Sequence, residues 1–290
     1  QLGRGASAKV YLATHRPSSK PLALKVLEND LEVSNEGRRL LLNELKLVHN
    51  ARSDHLLMFY DAFLHESKIY LALEYMDMGS VETLYSAAKV ANALLSPEVL
   101  ASVLCQILDG LTYLHKEQHA VHRDLKPANV LMNSAGQCKL ADFGISKQLG
   151  ATQALAETQC GTTAYMSPER IKGEPYNYSS DVWSFAIMAL EGACGAFPYP
   201  AFANYFDVVS TIVDGPVPTE NPAVQQQLGV ELHNLVHACL NKDPALRPDV
   251  LALKGHPYVT RQQSAPCDLG AYLRSTMAHV GASSDLPSQY

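Results

Sequence analysis

Two short blocks constrain this chain more than anything else in it: His122-Arg123-Asp124-Leu125-Lys126-Pro127-Ala128-Asn129 and, beyond one apolar strand, Asp142-Phe143-Gly144. Together they set an acid able to orient a hydroxyl, a lysine, an asparagine and a second acid close in sequence. Phosphoryl transfer from a nucleotide calls for that set, because the protein there contributes positioning and charge neutralisation rather than covalent chemistry. His-Arg-Asp alone is a sequence any solvated turn could carry. Two such blocks in this order are not expected by chance.

Composition bounds the alternatives. The 290 residues suffice for one large domain or two small ones, and 47% hydrophobic against 18% charged content provides for a sizeable core. A net charge of -6 gives no reason to expect nucleic-acid or anionic-membrane binding. The six cysteines are scattered, without zinc-knuckle or redox-dithiol spacing, so reduced thiols inside the cell are the expectation. His115, His119 and His122 cluster without a completing metal ligand and are assigned to a helix end and a loop. The most apolar stretch, residues 182–197, is interrupted by Glu191 and two glycines and is too short to span a bilayer. The chain opens on Gln1, without a signal peptide, directly in a glycine motif, and reads as lacking flanking sequence.

Gly3-Arg4-Gly5-Ala6-Ser7-Ala8-Lys9-Val10 reads as strand, glycine turn, strand; glycine lets backbone approach a phosphate with no Cβ in the way. The Leu22–Leu27 segment is expected to be a strand that sends Ala23 and Lys25 to one face. Residues 40–48 have helical spacing, with Glu44 on the same face as Leu40, Leu41, Leu47 and Val48. An acid on an apolar stripe requires a partner, and Lys25 is the natural one. Residues 69–75 read as a buried strand broken by Met76-Asp77-Met78-Gly79-Ser80. Ser96-Pro97 starts a core helix with a capping hydroxyl and a first-turn proline. Residues 181–190 are apolar on nearly every face and predict a fully buried helix.

These blocks resemble the eukaryotic protein kinases, over Gly3 to about Tyr258. The resemblance implies an α+β bilobal fold, with a small mostly-β lobe over residues 1–76, a large mostly-α lobe over 77–260 and a C-terminal extension over 261–290. It implies ATP and Mg2+ as cofactors, held by Gly3, Gly5, Val10, Ala23, Lys25, Glu74, Met76, Leu131 and Asp142. Glu74 to Met76 would meet adenine through backbone, with Leu73 at the back of the pocket. Asp124 would orient the attacking hydroxyl and take its proton, and Lys126 would steady the transferring phosphate. Asn129 and Asp142 would hold magnesium, and Lys25 would contact phosphates and pair with Glu44. Glu169 would pair with Arg247. Ala8 stands where the kinase pattern has its third glycine, which implies a stiffer loop.

Within the kinases, Tyr165-Met166-Ser167-Pro168-Glu169-Arg170-Ile171, Met76-Asp77-x-Gly79-Ser80 and Gly195-x-Phe197-Pro198-Tyr199 are similar to the MAP kinase kinases. Lys126 two residues after Asp124 fits serine/threonine and dual-specificity enzymes. Thr152 and Thr158, five residues between them, match the activation pattern of plant-type members, and Arg123 would receive the phosphate. That implies a MAP kinase as protein substrate, an upstream activating kinase, no nucleic-acid partner, no membrane insertion, and a cytoplasmic location with the nucleus as a second compartment. A Ser/Thr kinase of the upstream tier and a pseudokinase scaffold are the alternatives. Cys267-Asp268-Leu269-Gly270-Ala271-Tyr272-Leu273 resembles a short helix after the core of some members, or is an amphipathic tail on the large lobe. Residues 283–290 are expected to fray.

Overall fold

A computed structural model of the chain describes residues 1–4, 8–27, 53–66, 68–142, 163–264 and 267–280. The first part of the chain forms a five-stranded antiparallel sheet in the order β1-β2-β3-β5-β4. Its strands are β1 (Gly3–Arg4), β2 (Ala8–His15), β3 (Lys20–Leu27), β4 (Phe59–His65) and β5 (Lys68–Glu74). Ala23 pairs with Leu73 and Lys25 with Leu71 across β3 and β5, which fixes which side chains face the helical region. The helix expected over residues 40–48 lies outside the described residues, as do residues 283–290.

The rest is helical apart from a hairpin of β6 (Val130–Met132) and β7 (Cys138–Leu140). Helix α1 (Val81–Val90) begins with a capping box between Ser80 and Thr83. Helix α2 (Pro97–Thr112) starts as its sequence dictates: the Ser96 hydroxyl accepts the Val99 N–H at 3.3 Å and Pro97 occupies the first turn. Beyond the four-residue helix α3 (Pro168–Ile171), helix α4 (Tyr178–Cys194) runs through the centre, with every residue from Ser180 to Leu190 buried. A helix apolar on all sides has no solvent face to offer. It ends at Gly195 in the left-handed region, a common glycine stop. A Cβ on Gly192 would lie 2.6 Å from the Tyr85 hydroxyl and 2.7 Å from Leu100, so glycine lets α4 press against α1 and α2. Helices α5 (Val230–Cys239), α6 (Val250–Lys254) and α7 (Leu269–Val280) pack around this centre.

The expected pair of Glu169 and Arg247 is present and buried, with two parallel bonds of 2.8 Å. Ser180 donates a third at 2.7 Å. The remaining guanidinium N–H donors reach the carbonyls of Ser179 and Asn241 at 3.0 and 2.8 Å, and the guanidinium lies 5.1 Å from the Trp183 ring centroid. Burial alone would raise the Glu169 carboxyl; the Arg247 and Ser180 hydrogen bonds and the Arg247 charge outweigh it and hold it at about 2. An unfolded Glu titrates near ~4.3. The pair's contribution is therefore complete above that pH and is lost as pH falls towards about 2. Glu169→Ala should lower the unfolding free energy at neutral pH by about 3–5 kcal/mol, because Arg247 is left buried and unpaired. Urea titrations of both proteins should show that gap shrinking on acidification; a gap constant from about pH 6 to about pH 2.5 contradicts the assignment.

Candidate active site

A cleft of about 320 Å³ lies between the sheet and the β6–β7 hairpin, a size suited to a small-molecule ligand. Its apolar walls include Val10 and Ala23 from the sheet and Leu131 from β6; its polar end carries Lys25, Asp124, Lys126, Asn129 and Asp142. Residues far apart in sequence thus converge on one cavity. Gly3 lies in β1 beside this wall, paired with Val10. Glu74 and Met76 are not among the residues that line the cavity. Gly5, Glu44, Thr152 and Thr158 lie outside the described residues.

Lys25 and Asp142 meet directly: the ammonium donates to both carboxylate oxygens, at 2.6 and 2.7 Å. Burial would raise the Asp142 carboxyl, but the Lys25 charge and hydrogen bonds, with His122 and Lys126, hold it below the ordinary range. Asp142 sits at φ +60°, an uncommon backbone for a non-glycine residue. Lys126 lies 3.0 Å from Asp124. The Asn129 amide nitrogen donates to the Asp124 carbonyl at 2.7 Å and to its carboxylate at 2.9 Å, which leaves the amide oxygen as the end available to a cation.

The loop from His122 to Asn129 is fixed from below by a residue given no role from sequence. Asp181, buried in the first turn of α4, accepts the His122 N–H at 2.8 Å, the Arg123 N–H at 3.0 Å and the His115 Nε2–H at 2.8 Å. Burial opposes its charge; the hydrogen bonds and the neighbouring imidazoles outweigh burial and keep the carboxyl below its ordinary value. His122 shows the converse, its imidazole pushed down by burial against the pull of Asp181, Asp124 and Asp142. Two of the clustered histidines thus serve a helix end and a loop, as expected. The signal for Asp181 was available: an acid opening a helix apolar all round must have a partner.

A second missed residue is Lys139. It is 5% exposed on β7 and donates to both Glu74 oxygens at 2.8 and 2.9 Å. Glu74 also accepts the Met58 N–H through its side chain at 3.1 Å and donates its own N–H to the Met58 carbonyl at 2.8 Å. The end of β5 is thereby pinned to the strand that leads to Asp142. Its signal was weak, since a lone lysine in a short strand is usually solvated.

Arg123 adopts φ +76°, and its carbonyl accepts a hydrogen bond from Arg170. Both guanidinium groups lie over the Tyr176 ring, at 5.9 and 5.1 Å from its centroid. No described helix is long and apolar enough to cross a membrane.

Residues 1–259 match the protein kinase domain family. The chain is 37% identical over 290 residues to the protein kinase wis1 of Schizosaccharomyces pombe, spanning 97% of this chain and 46% of that protein. It is 36% identical over 280 residues to the mitogen-activated protein kinase kinase SIPKK of Nicotiana tabacum, covering 94% of this chain and 76% of the relative. Mitogen-activated protein kinase kinase 2 of Arabidopsis thaliana is 35% identical over 277 residues, covering 93% and 74% respectively. The family match over residues 1–259 and relatives 35–36% identical over more than nine-tenths of the chain place it in the protein kinase family, among the MAP kinase kinases, in agreement with the sheet, the helices and the charged cleft between them.

Proposed function

We propose that the chain is the catalytic core of a dual-specificity MAP kinase kinase that phosphorylates threonine and tyrosine in the activation loop of a MAP kinase. The observation that supports this most is the convergence of Lys25, Asp124, Lys126, Asn129 and Asp142 on one cleft. A pseudokinase scaffold would be expected to lack at least one of them. The donor set suits magnesium, a hard cation that prefers carboxylate and amide oxygens: Asp142 and Asn129 would hold it, and Lys25 would meet phosphate oxygens. Bound ATP supplies the phosphoryl group, and the cation offsets the charge on its phosphates.

Asp124, steadied by Asn129 and Lys126, accepts the hydrogen bond of the incoming hydroxyl and takes its proton as the oxygen attacks. Lys126 offsets charge on the group in transit. Val10, Ala23 and Leu131 form apolar walls suited to a flat base, with the backbone of Glu74 to Met76 supplying polar contacts. The Lys25–Asp142 pair brings the phosphate and metal contacts into register. We read residues 1–76 and 77–260 as the two lobes and 261–290 as an extension of the second.

For regulation, we read Thr152 and Thr158 as targets of an upstream kinase. A phosphate brings about -1.5 to -2 charges and three acceptor oxygens, and Arg123, one residue before Asp124, is placed to receive the one on Thr158. The location implied for such an enzyme is the cytoplasm, with access to the nucleus.

Three outcomes are expected. Asp124→Asn and Lys25→Met should each lower phosphoryl transfer ~100- to 10,000-fold with unchanged circular dichroism; retained turnover in both purified variants contradicts an active enzyme. Thr152→Ala/Thr158→Ala should resist activation by an upstream kinase that activates the wild type, as measured by phosphate incorporated into a MAP kinase. Mapping that phosphate should find both threonine and tyrosine; serine or threonine alone would place the enzyme in the upstream tier.

A further inference from the structure

Helix α7 does more than cover the helical region. It seats on the turn that joins β6 to β7. Gly136 in that turn has φ +85°, and a Cβ there would lie 2.5 Å from the Gly270 nitrogen. A Cβ on Gly270 would lie 2.9 Å from the Ala135 carbonyl carbon. Backbone therefore meets backbone, and only glycine permits it on either side. Leu269 and Leu273 are buried beneath this contact, and the Arg274 guanidinium donates to the Ser134 carbonyl.

The other edge of the same turn holds the segment between the sheet and the helices. The Ser134 N–H donates to the Asp77 carboxylate at 2.7 Å. Directly after Asp77 the chain is fastened again: the Met78 N–H bonds the Met132 carbonyl at 3.1 Å, and the Met132 N–H bonds the Gly79 carbonyl at 2.8 Å. Leu131, next to Met132, lines the cleft. One turn is thus clamped between the C-terminal helix and the strip of chain that borders the cavity.

We infer that Arg274 and Asp77 are positioning residues for the nucleotide, acting through Ser134, and that helix α7 sets the height of the β6–β7 turn against the base-binding edge of the cleft. This rests on reading the cleft as a nucleotide site. Losing the seat of the helix should weaken nucleotide binding and leave the transfer step nearly intact, because the residues before Asp124 are held independently, His122 and Arg123 by Asp181. A tail that merely added stability would change the melting temperature and leave nucleotide affinity alone.

The test measures the Kd of a fluorescent ATP analogue with Mg2+, the KM for ATP and kcat on the full chain. The variants are Arg274→Ala, Arg274→Lys, Asp77→Ala, Asp77→Ala/Arg274→Ala and Gly270→Val. Arg261→Ala, which removes an ion pair with Glu231 elsewhere on the surface, is the control. Arg274→Ala, Asp77→Ala and Gly270→Val should raise Kd and KM about 3- to 10-fold, within the range seen along packed networks, with kcat held within about twofold. Arg274→Lys should recover most of the affinity, and the double variant should be no worse than the weaker-binding single, as two ends of one connection require. Wild-type Kd in folded Arg274→Ala and Asp77→Ala, or additive losses in the double variant, overturns the inference. If Gly270→Val does not fold, the other four variants decide alone. Absence of nucleotide binding by the wild type would instead refute the reading of the cleft itself.

Discussion

The buried carboxylate of Asp181 ties the rest of the site to the core. Helix α4 is buried from Ser180 to Leu190, which seats Asp181, in its first turn, within the core. Asp181 turns that position into loop geometry by accepting two consecutive backbone N–H groups, from His122 and Arg123, and the His115 imidazole. The loop needs such an anchor, because Arg123 lies at φ +76°, a backbone that costs of order 1–3 kcal/mol in a residue other than glycine. Hydrogen bonds to a charged acceptor are worth ~1.5–3 kcal/mol each, enough to offset that cost. Asp124 follows directly and inherits the orientation.

Above this anchor, the cleft is a closed set of charges. Two lysines face two aspartates, with Asn129 tying the Asp124 backbone to its side chain. Pairing with Lys25 favours the ionised form of Asp142, the state a metal ligand requires. The Glu74–Lys139 pair works at longer range. It joins the last residue of β5 to β7, so the sheet that carries Lys25 and the strand that leads to Asp142 cannot drift apart without breaking a largely buried ion pair.

Much of this was legible in the sequence, because the informative signals were local. The Ser96-Pro97 start of α2, the buried run of α4, the facing of Ala23 and Lys25, and the pairing of Glu169 with Arg247 follow from spacing, capping and motif. What stayed hidden depends on residues brought together over long separations. Lys139 meets Glu74 across 65 positions and His115 meets Asp181 across 66, and no periodicity records either. The C-terminal helix was visible as an apolar pattern over residues 267–273, but its contact with the β6–β7 turn rests on two glycines 134 positions apart, and one glycine in a helical pattern reads as an ordinary defect. The pairing expected of Lys25 with Glu44 lies outside the described residues; the partner that Lys25 shows is Asp142.

A carboxylate in the core, Asp181, sets the backbone geometry of the loop that carries Asp124. The direct measurement is single-turnover phosphoryl transfer by Asp181→Asn, with nucleotide affinity determined on the same preparation. Asn keeps the shape and one acceptor oxygen but loses the charge that His115, His122 and Arg123 share. Asp181→Asn should remain folded with near wild-type nucleotide Kd and a transfer rate reduced about 100-fold, the scale of loss that a misplacement of about 1 Å produces. A folded variant that transfers phosphate at the wild-type rate would contradict that role for Asp181.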